Sequence, residues 1–463
     1  MKIADPDQDF EQPYVAAATE DALAEIFVQK HANHLRYVAK WGVWMRYHDG
    51  RWQEETTLLA FDLAREICRE ASRGCNKMSE TKALCSAKTI AAVERIARAD
   101  RTLVATVGQW DADPWLLNTP AGVVELKSGE MRPARPDDYM TKITKVAPDG
   151  RDNCPLWKEH LNKIFENDQA LVDYMQRLFG YCLTGDTREH SLHYCWGKGR
   201  NGKGTTINTF TDILGDYHKT APTEMFIASK TERHPTDMAM LRGMRLVTAS
   251  ETEKGQRWAE SKIKMLTAGD PISARFMRQD YFDYMPQFKI CISGNHKPGL
   301  RTVDDAIKAR MHLIPFNVYI PKEERDTEVM TKLQVEWAGI LQWAIEGCRA
   351  WQREGLRRPA AVEAASEEYV NDADLLSLWF EDMCVKKKES SLYTFELYPS
   401  YAQWAKDRGE FVMSMREFSG ELADRATEFG LKKNRDLWRG KQHGRGFDGV
   451  AFRDFETRPQ PPM

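Results

Sequence analysis

The feature that most limits what this chain can fold into is the run Gly197-Lys198-Gly199-Arg200-Asn201-Gly202-Lys203-Gly204-Thr205, which holds the spacing G-x-x-x-x-G-K. Leu192-His193-Tyr194-Cys195-Trp196 ahead of it reads as a buried strand. Thr205 to Leu214 behind it reads as a helix stopped at Gly215. A glycine loop in that setting turns its backbone N–H groups inward around phosphate oxygens. The helix N-terminus adds a field that favours anions. A lysine at the end of the loop sets a positive charge on the outer phosphates. The expected cofactors are ATP and Mg2+, held by Gly197, Gly199, Asn201, Gly202, Lys203, Gly204 and Thr205. One position departs from the usual pattern. The residue after the lysine, normally the Ser or Thr that holds magnesium, is Gly204. Thr205 stands one step late and is the candidate metal hydroxyl.

Two further strands end in polar residues. Leu241 to Ser250 runs into Glu251, a carboxylate able to polarise an attacking water and to serve as a metal ligand, with Glu253 in reserve. The competing assignment of Glu251 is a cap on the following helix. Ser250 stands where many such ATPases carry a magnesium-linked Asp. Phe288 to Ser293 runs into Gly294-Asn295, and Asn295 can hydrogen-bond the nucleophilic water or the terminal phosphate. Alone it reads as a turn residue. In order behind Lys203 and Glu251 it reads as part of a catalytic set. Alternation of strand and helix from His193 to Phe316 predicts an α/β domain with a mainly parallel sheet.

The remainder sets this core in a larger chain. At 463 residues, roughly three domains are expected. Residues 1–150 read as an α+β region, 151–186 as a helical segment, 187–320 as the ATPase core, 321–385 as helical, and 386–463 as a small basic unit. Within the first region Asp49-Gly50 predicts a hairpin turn and residues 80–105 a single helix. The net charge of −3 excludes a global pull toward nucleic acid, so any DNA contact rests on local patches or on a ring that concentrates them. Nine scattered cysteines without a C-x-x-C pair argue for reduced thiols in a cytosol. The N-terminus lacks the apolar run of a signal peptide. No run of about 18 apolar residues exists, so no membrane span is expected.

This order of motifs resembles the superfamily 3 helicases of viruses and mobile elements, in particular the satellite-phage and poxvirus type of primase-helicase. The residues that carry the likeness are Gly180 to Asp186, the loop GKGRNGKGT, RLVTASE at 245–251, Lys264 with Leu266 to Asp270, Ser273-Ala274-Arg275, Phe288 to Pro298, and Asp304 to Phe316. The segments at 116–133 and Pro155-Leu156-Trp157 resemble the region that precedes the ATPase in the phage members. The resemblance implies an AAA+-like P-loop core and a ring, usually a hexamer, with ATP between neighbours. It implies that Arg310 reaches across that boundary, where the bland reading is a surface arginine at a helix end. It also implies a winged-helix-like C-terminal module and work in the cytoplasm of a bacterial host.

For DNA, single-stranded or forked, the stretch from Pro271 to Gln287 predicts a hairpin centred on Arg278-Gln279-Asp280. In the related helicases this hairpin points into the ring channel. Lys264, Arg275 and Arg278 are the cations available to a phosphate strand. Tyr281 can stack on a base, but core packing is the favoured assignment. In the last unit Lys432, Lys433 and Arg439 are the candidate duplex contacts around Trp438. Asp111 and Asp113 lack partners for a primase centre, so priming is expected from a separate protein. The rival readings are a ring ATPase for DNA packaging or protein remodelling, and a DNA-binding ring that binds ATP without turnover.

Overall fold

The computed structural model describes residues 19–228, 236–250, 256–276, 280–300, 304–408, 410 and 412–453. At its centre lie five parallel strands, numbered β1 to β5 along the chain: Leu192–Trp196, His218–Thr220, Leu246–Ser250, Lys289–Gly294 and Met311–Pro315. Their spatial order is β5-β1-β4-β3-β2. Both faces are covered, which is why β1 and β5 bury nearly every residue rather than alternate. The strand, loop and helix expected around residue 200 are present. The helix (α2, Lys203–Leu214) stops at Gly215, which takes φ +55°.

Two helices brace this sheet from outside the motif. Helix α1, Gln169–Leu183, stacks Phe179 flat on Phe210 of α2, with ring centroids 4.0 Å apart. Helix α3, Trp337–Glu354, crosses α1 at glycines. A Cβ on Gly180 would lie 2.0 Å from the Cys348 nitrogen, and one on Gly347 would lie 2.0 Å from the Gln176 carbonyl oxygen. Only hydrogen fits between those backbones.

The segment after α1 is fastened by buried cations. Lys289, at the start of β4, donates to the carbonyls of Thr184, Asp186 and Gln287 and lies 4.7 Å from the Tyr181 ring centre. Arg245, before β3, donates to the carbonyls of Leu183 and Leu116. Carbonyls at a helix C-terminus attract cations. Burial pulls the Lys289 ammonium down to about 7. The Gly180–Asp186 run thus anchors α1 to the edge of the sheet opposite the glycine loop.

The N-terminal region packs helices Glu20–His31, Leu59–Ser72 and Ala87–Ala97 on a sheet of strands 35–38, 43–48 and 51–54. Asp49 and Gly50 both take positive φ, 50° and 74°, and turn the hairpin as expected. The single helix predicted over 80–105 is instead two, Met78–Leu84 and Ala87–Ala97. Ser86 is extended and accepts a hydrogen bond from the Thr89 amide at 3.2 Å, so it caps the second helix and ends the run.

Beyond α3 and a helix at Ala360–Ala373, the order is helix Leu375–Met383, strand Cys384–Tyr393, helices Thr394–Asp407 and Met415–Asp424, then strands Lys432–Arg439 and Gln442–Phe452. The last strand lies between the other two in an antiparallel sheet. This part has its own core, including Trp379, Tyr401, Phe418 and Phe447. Arg425 locks it, donating to both carboxylate oxygens of Asp374 at 2.7 and 2.6 Å. No helix among the described residues is long and apolar enough to cross a membrane.

Candidate functional site

Strand β1 has β5 on one side and β4 on the other, so its C-terminal end opens into the crevice where open α/β sheets bind ligands. The loop that follows is fastened on both flanks. The Gly197 amide donates to the Gly294 carbonyl at 3.4 Å on the β4 side. On the β5 side the Phe316 amide donates to the Trp196 carbonyl at 2.8 Å, and the Ile320 amide to the Arg200 carbonyl at 2.8 Å. Buried Asn201 spans the loop, donating to the Phe316 carbonyl at 2.9 Å. A Cβ on Gly197 would meet Asn201 Nδ2 at 2.1 Å and the Phe316 oxygen at 2.3 Å. Gly199 and Gly202 take φ of +95° and +78°, the left-handed region that glycine enters without strain. Gly202 precedes α2 without a side-chain cap of its own; the Lys203 amide donates to Asn201 Oδ1 at 3.4 Å, and the Gly204 and Thr205 amides that follow are the ones placed for an anion.

Lys203 and Asn295 meet at the mouth of this loop. The Lys203 ammonium donates to the Gly294 carbonyl at 2.8 Å and to Asn295 Oδ1 at 3.2 Å. Strand β3 ends alongside, with Ser250 in register with Ser293 of β4. Glu251 and Glu253, next in the chain, lie outside the described residues, as does Arg278. Gly204 is exposed, with nothing within 4 Å of where its Cβ would be. Thr205 lines a cavity of about 370 Å³ on the flank of α2, together with Glu159, His160, Ile320 and Val329. That volume lies within the range of small-molecule pockets. The loop fits a nucleotide phosphate. Gly204 brings no hydroxyl, so the position after the lysine does not fit a magnesium ligand.

His160 is a member of this site that the sequence reading missed. Its Nε2 is 2.9 Å from Thr206 Oγ1, whose hydroxyl donates to the Gly202 carbonyl at 3.1 Å. A Cβ on Gly202 would touch the His160 ring at 3.0 Å and Ile164 at 2.5 Å. Burial holds the imidazole down to about 4, so it is neutral near pH 7. No motif spacing links it to the loop.

Arg310 stands just before β5, at the end of the strands opposite the glycine loop. Met311 is in register with Leu192, so Arg310 and the glycine loop are separated by the length of a five-residue strand, roughly 16 Å. It donates to the Ala306 carbonyl at 2.9 Å, and its buried Nε has no partner among the described residues. An arginine so placed does not reach its own crevice.

The hairpin expected in the core is formed by Ile272–Ala274 and Phe282–Tyr284. Arg275 lies 4.7 Å from the Tyr281 ring centre. Tyr281, assigned to the core from sequence, is 54% exposed, because it falls just outside the paired strand. Lys264 is engaged by Asp304, whose carboxyl burial pushes up but whose bonds from Lys264 and the Ile307 amide hold below the usual range. In the last sheet Lys432 and Lys433 are exposed. Arg439 instead pairs with Glu396 at 2.9 Å.

Residues 24–166 match the family described as D5 N terminal like, and residues 195–310 match a family of unknown function, DUF5906. The candidate helicase L207/L206 of Acanthamoeba polyphaga mimivirus is 23% identical over 357 residues, covering 70% of this chain and 37% of that protein. Candidate helicase 022R of Frog virus 3 (isolate Goorha) is 21% identical, covering 70% and 34%. Candidate helicase V13 of Sputnik virophage is 25% identical, covering 39% and 24%. The chain therefore spans about a third of the length of the first two relatives. In fold it is similar to the apo C-terminal region (305–718) of NrS-1, at TM-score 0.50 and 10% identity, over 94% of this chain and all of that one. The chain thus carries a D5 N terminal like region ahead of its parallel core and is similar to helicase-named viral proteins over 70% of its length.

Proposed function

We propose that this chain is an ATP-hydrolysing superfamily 3 DNA helicase that works as a ring on single-stranded or forked DNA during replication of a phage, prophage or other mobile element. The observation that carries this reading is the meeting of Lys203 and Asn295, 3.2 Å apart, at the C-terminal ends of adjacent strands over a glycine loop. In use, Lys203 moves from Gly294 and Asn295 to the outer phosphates and balances their charge. Asn295 is then free to orient the attacking water, and Glu251, one residue beyond β3, takes its proton. Thr205, which lines the flanking cavity, is the hydroxyl proposed for the metal beside Glu251. When bound, Mg2+ supplies charge neutralisation of the phosphates, and Thr205 and Glu251 are the residues of this chain assigned to it.

Arg310 completes the site of a neighbouring subunit, because it is a strand's length from its own loop. That geometry favours a closed ring, and a hexamer is the reading carried over from the resemblance. The hairpin at 272–284, with Arg275 and Arg278, follows the DNA strand in the channel, while Lys264 steadies Asp304. Residues 375–453, in the order helix-strand-helix-helix-strand-strand, form a winged-helix unit that holds duplex DNA through Lys432 and Lys433.

The test is strand separation on a forked duplex with ATP and magnesium, beside hydrolysis with and without single-stranded DNA. Unwinding with DNA-stimulated hydrolysis is the expected result. Hydrolysis without unwinding favours a packaging or remodelling ring. ATP binding without turnover favours a nucleotide-gated DNA-binding ring, the reading that Gly204 supports.

A further inference from the structure

We propose that the N-terminal region supplies Trp41 as a stacking platform for single-stranded DNA, continuing the aromatic face of the hairpin at 272–284. This inference rests on the helicase reading and adds a DNA-binding surface outside the ATPase core.

Four exposed residues, Ala39 to Gly42, turn between the first two N-terminal strands, and Gly42 takes φ +72°. The turn sets Trp41 on the surface, 38% exposed. Its indole does not hang free. It lies on buried Trp110, with centroids 6.2 Å apart and planes 29° from parallel. Held against Trp110 and the Arg242 guanidinium, the indole is fixed in direction while 38% of it stays exposed to solvent.

The open surface continues toward the hairpin. The Arg242 guanidinium lies 5.1 Å from the Trp41 ring centre and 5.7 Å from that of Phe282. Its direction is fixed by donation to the Val107 carbonyl at 2.8 Å. Phe282 stacks on Phe276 at 5.8 Å, and Phe276 is 41% exposed. Arg275 over Tyr281 extends the series. Aromatic and guanidinium planes thus run from the N-terminal region onto the hairpin.

Charge does not explain this surface. Arg242 lies in the field of Asp111, and Asp280 and Asp283 stand beside Arg275's hairpin in the sequence. A duplex, which presents phosphates and hides its base faces, gains little from such a surface. Single-stranded DNA presents base faces, and every base has a π-face to stack. The chemistry fits unpaired bases passing between the hairpin and the N-terminal region.

The experiment is the affinity of the full chain for fluorescein-labelled dT20 with a non-hydrolysable ATP analogue, across a salt series. Loss of one stacked base predicts that Trp41→Ala weakens binding about 5- to 150-fold. The salt slope stays that of the unsubstituted chain, since an indole neutralises no phosphate. Trp41→Tyr recovers most of the affinity, and the melting temperatures of both variants monitor folding. Unchanged affinity in Trp41→Ala, or a loss that Trp41→Tyr leaves unrepaired, overturns the inference while the helicase reading stands. An unsubstituted chain that hydrolyses no ATP and binds no dT20 overturns both.

Discussion

Lys203 and Lys432 each open a regular element, yet the two ammonium groups live under different rules. Lys203 is 8% exposed and held by backbone and side-chain oxygens from two strands' ends. Lys432 is exposed on a hairpin strand whose local charges include Asp436 as well as Lys433 and Arg435. A parallel sheet brings strand ends into line, so residues about ninety positions apart in the chain converge without any local signal. An antiparallel hairpin places charges by alternation alone, and neighbours then decide which of them stay available. Arg439 goes to Glu396, whereas Lys432 and Lys433 face solvent. A strand's end therefore predicts a role better than a charge count does.

The contrast is sharpest when each region is broken separately. Arg425→Met leaves Asp374 as a buried, uncompensated carboxylate and should cost about 3–5 kcal/mol. Denaturation followed by proteolysis should then show residues 375–453 opening first, with ATP hydrolysis retained. Simultaneous loss of both would show that the two regions fold as one. Lys203→Ala should lower ATP turnover by about 100- to 1000-fold with an unchanged melting temperature. A retained rate would remove the loop from the chemistry.

The pH dependence of the core is set partly by His160. Its imidazole is pushed by burial to about 4, while the unfolded group titrates near 6.5. Between those values the unfolded chain binds more protons, so stability falls as pH falls from 6.5 towards 4, by up to about 3 kcal/mol. Urea denaturation should show a shallower decline for His160→Gln than for the parent chain, and equal slopes would contradict the assignment. Within the loop, Gly197→Ala should cost about 1–3 kcal/mol through overpacking against Asn201 and Phe316. Gly204→Ser has open space, should be neutral to folding, and should tighten the magnesium requirement of hydrolysis. The smallest effect belongs to the hairpin. Lys432→Glu with Lys433→Glu should weaken duplex binding and flatten its salt slope by about one unit for each phosphate no longer neutralised, leaving hydrolysis untouched.

What the sequence made legible follows the same division. The glycine loop, the stop at Gly215 and the Asp49-Gly50 hairpin depend on residue types that only certain backbone shapes accept, whereas the pairing of Ile272–Ala274 with Phe282–Tyr284 was readable from alternation. Lys203 was readable from the glycine-loop spacing, Glu251 and Asn295 from their places after apolar runs, and Arg310 only from the family resemblance. His160 was not, because it enters from 46 residues upstream of Thr206 on a helix with no phosphate-binding signature. Neither was the engagement of Lys264 by Asp304, since side-chain pairing across the fold leaves no spacing to read. The predicted helix over 80–105 failed at one residue, Ser86, whose capping role outweighed the apolar periodicity around it.

The central claim is that the crevice above β1 and β4 turns over ATP only when a neighbour's arginine completes it. The most direct measurement mixes two inactive variants, Lys203→Ala and Arg310→Ala, and follows magnesium-dependent ATP hydrolysis. Each alone should be silent. Together they should regain activity, because a subunit with Lys203 intact then sits beside one with Arg310 intact. A mixture that stays silent while both variants assemble, or an Arg310→Ala chain that hydrolyses ATP unaided, would contradict the account.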